Sequence, residues 1–260
     1  IVSLVGSEMC IRDSNCSIGL ADFPGYYHHC GYDDQQRLYY SEQVLPGVRI
    51  IGLNSNQFDA LEKQEYTGSL EVEQLDWLQQ VLAIAKEELV IVMLHHNVIE
   101  HLPDQSNNSL GRRYMLENRF LLLDILQSAG VKLIFTGHLH VQDVAKYQGI
   151  YEITTGSLVT YPHPYRIIDF MTDASGKQSL KIESYRVNSL PDLPNLSDIS
   201  RNWIGDRSFH FMSKLLTNPP LNLSPELAAQ LAPSLRYFWA DIASGDAVLD
   251  FPNFPPDVRR

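Results

Sequence analysis

Two stretches, LVIVMLHHN (residues 89–97) and VKLIFTGHLH (residues 131–140), decide how this chain is read. Each is a continuous apolar run of strand length that ends abruptly in imidazoles. A strand that is apolar at nearly every position is covered on both faces, the pattern of a parallel sheet between helices. Between the two runs, Glu117 to Ala129 reads as a helix and closes on Gly130, where a left-handed cap is wanted.

Toward the N-terminus, VRIIGLNSN (Val48 to Asn56) reads as a buried strand running into a loop. Leu75, Leu78, Val81, Leu82 and Ala85 then recur at helical spacing. Ser69 is the expected N-cap of that helix, with Glu71 and Glu73 favouring its first turn. Asp22 to Glu42 is expected as loop with short elements, and the polar stretch His101 to Arg113 as an exposed loop. Toward the C-terminus, IYEITTG, YRIIDF and LKIESYR alternate better and suit a second, more antiparallel sheet or a sheet edge. Past the Pro- and Asp-rich residues 190–195, helices are expected near Arg207 to Leu216 and Ser224 to Ala243. Ser224 is placed to cap the latter, with Pro225 at its first position. Tyr237, Phe238 and Trp239 read as packing aromatics. The strand–helix–strand–helix–strand order predicts an α/β layered fold.

With 260 residues, 44% of them hydrophobic, the chain can bury one sizeable core and a small appended region. Its net charge of −11 disfavours non-specific binding to nucleic acid or an anionic membrane, both polyanions. A phosphorylated small substrate stays compatible, because bound cations can reverse the local sign. No apolar run is long enough to span a bilayer. The three cysteines, Cys10, Cys16 and Cys30, show neither a zinc-knuckle spacing nor a disulfide framework.

The chemistry sits in His95-His96 and in Gly137-His138-Leu139-His140. Ligands of open α/β sheets bind outside the carboxyl ends of the strands, where both clusters fall. On an extended segment, the two side chains of His-x-His leave the same face, and Gly137 permits a tight turn beside them. Neutral imidazoles are good ligands for transition metals. A pair of ions held roughly 3.5–4 Å apart suits phosphate-ester hydrolysis.

The order strand–HH, helix, strand–TGHLH, then GIYEITTGS, over about Val48 to Phe170, resembles the second half of the calcineurin-like metallophosphoesterase family. The resemblance implies an incomplete four-layer αββα sandwich with a small C-terminal helical region. It also implies two divalent metal ions (Mn, Fe or Zn) acting on a small phosphate ester. Carried over by position, His95 and His138 are ligands of one metal and His140 of the other. His96 is placed in the outer shell or on the substrate side, Asp143 orients an imidazole, and His101 and Glu100 approach substrate. Asn97 stands where the family usually has Pro.

The family's earlier motifs, D-x-H, G-D-x-x-D and G-N-H-[DE], do not occur upstream of His95. Three histidines cannot hold two ions at normal coordination number. The chain is therefore expected to be a truncated and inactive fragment of a phosphoesterase. A non-catalytic binding module of the same fold and a mononuclear three-histidine hydrolase are the alternatives. The opening IVSLVGSEMCIRDS lacks the basic region of a secretory signal and resembles translated sequencing-adaptor DNA. The expected organisation is a non-native leader at 1–14, a truncated metallophosphoesterase domain at 15–189 and a helical extension at 190–260.

Overall fold

The computed structural model describes residues 22–32, 37–58, 65–107, 109–218 and 221–245, the side chains at 109, 110 and 210 apart. The expected leader at 1–14, with Cys10, and also Cys16 lie outside the described residues. The chain divides into two compact units, Ile1–Leu139 with Asp143–Thr154, and His140–Gln142 with Thr155–Arg260.

The first unit is built on a six-stranded sheet, as the α/β reading requires. Its strands are β1 (Tyr40–Leu45), β2 (Val48–Gly52), β3 (Leu89–Met93), β4 (Leu133–Thr136), β5 (Asp143–Tyr147) and β6 (Ile150–Thr154). Their spatial order is β1-β2-β3-β4-β6-β5. The four inner strands pair in parallel, and β1 and β5 close the edges antiparallel. Parallel neighbours need a long crossover. After the short helix α1 (Phe23–Tyr26), α2 (Val72–Ile84) supplies the crossover from β2 to β3. A short turn of helix, α3 (Ser109–Arg112), and then α4 (Arg119–Ser128) lie between β3 and β4.

Leu75, Leu78 and Leu82 of α2 and Leu122 and Leu126 of α4 share one buried cluster with Ile51, Val92 and Ile134 of the strands. Burying each such side chain contributes roughly 1.5–3 kcal/mol. That stripe holds α2, because the expected cap does not form. The N-cap position is Glu71, with no side-chain cap bond. Ser69 instead donates its backbone N–H to the Ser55 carbonyl at 3.1 Å. Gly130 takes its expected left-handed conformation, φ 75°.

The stretch His101 to Arg113 is only in part the exposed loop expected. Gln105 within it is completely buried, and its Oε1 accepts the backbone N–H groups of His101 and Leu102 at 2.8 and 3.2 Å. An enclosed turn must find acceptors for its own amides, and Gln105 supplies one. IYEIT also departs from expectation. As β6 it enters the main sheet between β4 and β5, and does not join a second sheet.

In the second unit, β7 (Pro164–Thr172) and β8 (Gln178–Arg186) form the expected antiparallel pair. Helix α5 runs Leu196–Thr217, starting well ahead of Arg207. Helix α6 (Pro225–Leu231) is capped as expected, Ser224 Oγ accepting the Leu227 N–H at 3.2 Å. The single helix expected through Ala243 breaks at Pro233, which has no N–H to offer. A 3-10 turn, Ala232–Leu235, and α7 (Phe238–Ala243) follow. Phe238 and Trp239 pack against the cluster of Met212, Leu216, Ala228 and Ala232.

Candidate functional site

β3 and β4 pair in parallel, Ile91 opposite Leu133 through Met93 opposite Phe135, so the residues that follow them emerge side by side. The rings of His95 and His138 consequently lie 4.4 Å apart, centroid to centroid. His96 lies 4.5 Å from His138 and 5.1 Å from His95. One backbone bond spans the two clusters, Gly137 N–H to the His95 carbonyl at 3.1 Å.

The Gly-His-Leu-His segment is not extended. His138 and His140 each have φ 58°, and Gly137 is not among the glycines with positive φ. The turn expected of Gly137 is thus made by the histidines themselves. A residue with a Cβ is strained in that region by about 1–3 kcal/mol, a cost that clusters at functional sites. The alternation argument that placed His138 and His140 on one face does not hold. His140 belongs to the second unit, where burial holds its imidazole below its usual range and Thr160 Oγ1 lies 3.4 Å from its Nδ1.

His96 is wholly buried and engaged at both ring nitrogens. Nε2 faces the Tyr66 carbonyl at 3.1 Å, and Nδ1 faces Ser55 Oγ at 2.8 Å. Burial pushes its pKa down to about 4, against a small opposing pull from the Tyr66 carbonyl, so the ring is neutral. A carbonyl only accepts, so Nε2 carries the proton and Nδ1 accepts from the serine hydroxyl. His138 Nε2 meets the same carbonyl at 3.1 Å. Space for this arrangement comes from Gly68, where a Cβ would run into the His96 ring and stand 2.8 Å from the Ser55 carbonyl.

Beneath the imidazoles lies a buried polar network. Glu152 on β6, fully enclosed, accepts the Val98 and Ile99 backbone N–H groups at 2.9 and 2.5 Å. It also accepts the Thr136 hydroxyl at 2.6 Å and the Asn97 amide at 3.0 Å. Asn97 Nδ2 lies within 3.0 Å of Thr136 Oγ1 and 3.3 Å of Thr154 Oγ1, and the Thr154 hydroxyl donates to the Gly137 carbonyl at 3.2 Å. The loop leaving β3 and the last residue of β4 are therefore bound to one carboxylate on β6.

His101 was expected to face substrate and does not. Its side chain is completely buried, with Nδ1 2.8 Å from Asp143 Oδ2 and Nε2 3.1 Å from Glu152 Oε1. Burial alone would lower its pKa, but hydrogen bonds and charge from Asp143 and Glu152 outweigh this and raise it to about 9. Asp143 does contact an imidazole, that of His101. Glu100, also expected near substrate, contacts the Ser106 hydroxyl and lies 3.5 Å from Arg119.

Sequence reading missed Glu152, Asn97 and Thr154. The available signal was the inversion in β6, where Tyr151 points to solvent and Glu152 to the core. The residues do not by themselves fit a dinuclear metal centre. His95 and His138 offer two close imidazoles, yet among the described residues no three His, Cys, Asp or Glu side chains converge as a metal would need.

Residues 20–142 match the family model of the calcineurin-like phosphoesterases. Over that stretch the chain resembles the calcineurin-like phosphoesterases. Both histidine clusters lie inside the matched region, and the α/β architecture is that of the family's fold. The chain is 31% identical over 106 residues to a "Probable cyclic nucleotide phosphodiesterase" of Rhodococcus erythropolis, covering 41% of the chain and 32% of that relative. It thus spans about a third of the curated relative it matches. A solved structure described as a 5'-nucleotidase from Staphylococcus aureus aligns at 18% identity and TM-score 0.38, over 64% of this chain and 34% of that one. GAP50 of Plasmodium aligns at 21% identity and TM-score 0.33, over 47% and 38%. No helix among the described residues is long and apolar enough to cross a membrane.

Proposed function

We propose that the chain is part of a metal-dependent phosphoesterase that hydrolyses small phosphate mono- or diesters at a dinuclear centre, with His95, His138 and His140 as its imidazole ligands. The observation that carries this reading is the approach of the His95 and His138 rings to 4.4 Å at the ends of adjacent parallel strands. The relative described as a cyclic nucleotide phosphodiesterase makes a phosphodiester the first substrate class to test. Two imidazoles fill half of a four-coordinate shell. The remaining donors of two ions are not assembled among the described residues, so this chain alone is read as inactive.

The test is a Zn²⁺ and Mn²⁺ titration of the chain and of His95→Ala and His138→Ala, with hydrolysis of bis(p-nitrophenyl) phosphate followed alongside. Metal uptake by the native chain, lost in both variants, with hydrolysis at background, is the expected result. Uptake unchanged in both variants would remove the two histidines from the ligand set. Turnover by the chain alone would overturn the incomplete-centre reading.

A further inference from the structure

We propose that Arg113 is an oxyanion-binding residue of this site, placed to take the phosphoryl oxygens of a phosphate ester. The inference rests on the phosphoesterase reading for the identity of the anion, and on Arg113's own surroundings for the rest. The Arg113 guanidinium lies over the Tyr66 ring, 4.6 Å from its centroid, and 5.1 Å from that of Tyr114. Both tyrosines belong to the histidine cluster. The Tyr114 ring is 5.0 Å from that of His138, and the Tyr66 carbonyl receives Nε2 of both His96 and His138. Arg113 is thus one ring, that of Tyr114, away from the His138 imidazole, and it covers the ring of the residue whose carbonyl receives His96 and His138.

Among the described residues, no carboxylate pairs with this charge. Arg49, Arg119, Arg201 and Arg236 each pair with an acidic side chain, whereas among the described residues Arg113 has aromatic faces against it. Its Nε is buried and has no hydrogen-bond partner. A buried donor left unmade is costly and calls for an explanation. In a chain with 31 acidic against 20 basic residues, an arginine with no acidic partner among the described residues, one ring away from the His138 imidazole, is such a case.

Aromatic faces hold a guanidinium in place by cation–π attraction while leaving its N–H edge unspent. That edge presents donors in a planar fork, which matches the spacing of phosphoryl oxygens and binds them in pairs. Lysine, a compact point charge, does not reproduce the fork.

The deciding experiment is a ¹⁵N-detected titration of the arginine Nε–H signals of the whole chain with inorganic phosphate, then methyl phosphate and dimethyl phosphate. It is run with EDTA present, and repeated on Arg113→Lys and Arg113→Gln. The expected result is a saturable shift at Arg113 Nε, with phosphate affinity at the histidine resonances about tenfold or more weaker in Arg113→Gln. Arg113→Lys should fall between. Because lysine keeps the charge, it also guards against a glutamine variant that fails to fold. The order among the three probes separates a monoester from a diester site. Equal affinity in the native chain and both variants, or no phosphate response in the native chain, would overturn the proposal. A native chain that takes phosphate but no Zn²⁺ would sink the phosphoesterase reading and leave Arg113 as an anion contact.

Discussion

Glu152 Oε1 and His101 Nε2 face each other 3.1 Å apart, and neither side chain has any exposure to solvent. A carboxylate and an imidazolium removed from water together lose hydration that only close pairing and full hydrogen bonding can offset. Here the pairing is close, Glu152 is saturated with donors and His101 Nδ1 has Asp143, while His101 Nε2 meets Glu152 as an ion pair without hydrogen-bond geometry.

Breaking the pair from one side should therefore be expensive. His101→Leu leaves Glu152 without its counter-charge and should destabilise the chain by about 3 kcal/mol or more. Urea unfolding against the native chain measures it. A loss below about 1 kcal/mol would mean that the pair is not enclosed as described.

The same pair fixes an alkaline limit. The folded chain holds the His101 proton to about pH 9, whereas the unfolded chain releases it near 6.5. The stabilisation is complete below about pH 6.5, declines through the window between these values and is gone above about 9. Its full size is about 3 kcal/mol. Urea midpoints from pH 6 to 10 should fall in the native chain and run flat in His101→Gln. Parallel slopes for both chains would contradict the assignment.

Gly68→Ala should displace the His96 ring, because the new Cβ has no room beside it. Overpacking of this kind costs about 1–3 kcal/mol. Chemical shifts of His96 and the unfolding midpoint should move together, and a variant as stable as the native chain would show that the 65–68 backbone gives way freely.

Thr154→Val keeps volume but removes the hydroxyl that meets the Gly137 carbonyl. The orphaned carbonyl should cost about 1–2 kcal/mol and loosen the approach of His138 to His95. Thr154→Ser should restore it. Ring-to-ring nuclear Overhauser contacts provide the readout, and contacts of native strength in the valine variant would rule the tether out.

Much of the sheet could be read from the chain because β3 and β4 are covered on both faces, so burial left an unbroken apolar run. The edge strands could not. β5 alternates half-buried and exposed positions, and β1 is mostly exposed, so their sequences resemble loops. The imidazoles were legible because histidine pairs at strand ends are uncommon and chemically pointed. Glu152 was not, since a lone glutamate between Tyr151 and Ile153 looks like the wet face of a strand. Asn97, where the family usually has Pro, carries an amide that is the hub joining Thr136, Glu152 and Thr154. Long-range partners of this kind are set by which strands become neighbours, and local pattern does not carry that information.

The Tyr66 carbonyl receives two imidazoles, one from each histidine cluster. A single peptide plane is therefore common to both. Any rocking of that plane reaches His96 and His138 in the same instant, so the two rings should share one exchange rate in relaxation-dispersion measurements. The clusters, separate in sequence, would then fluctuate as one body.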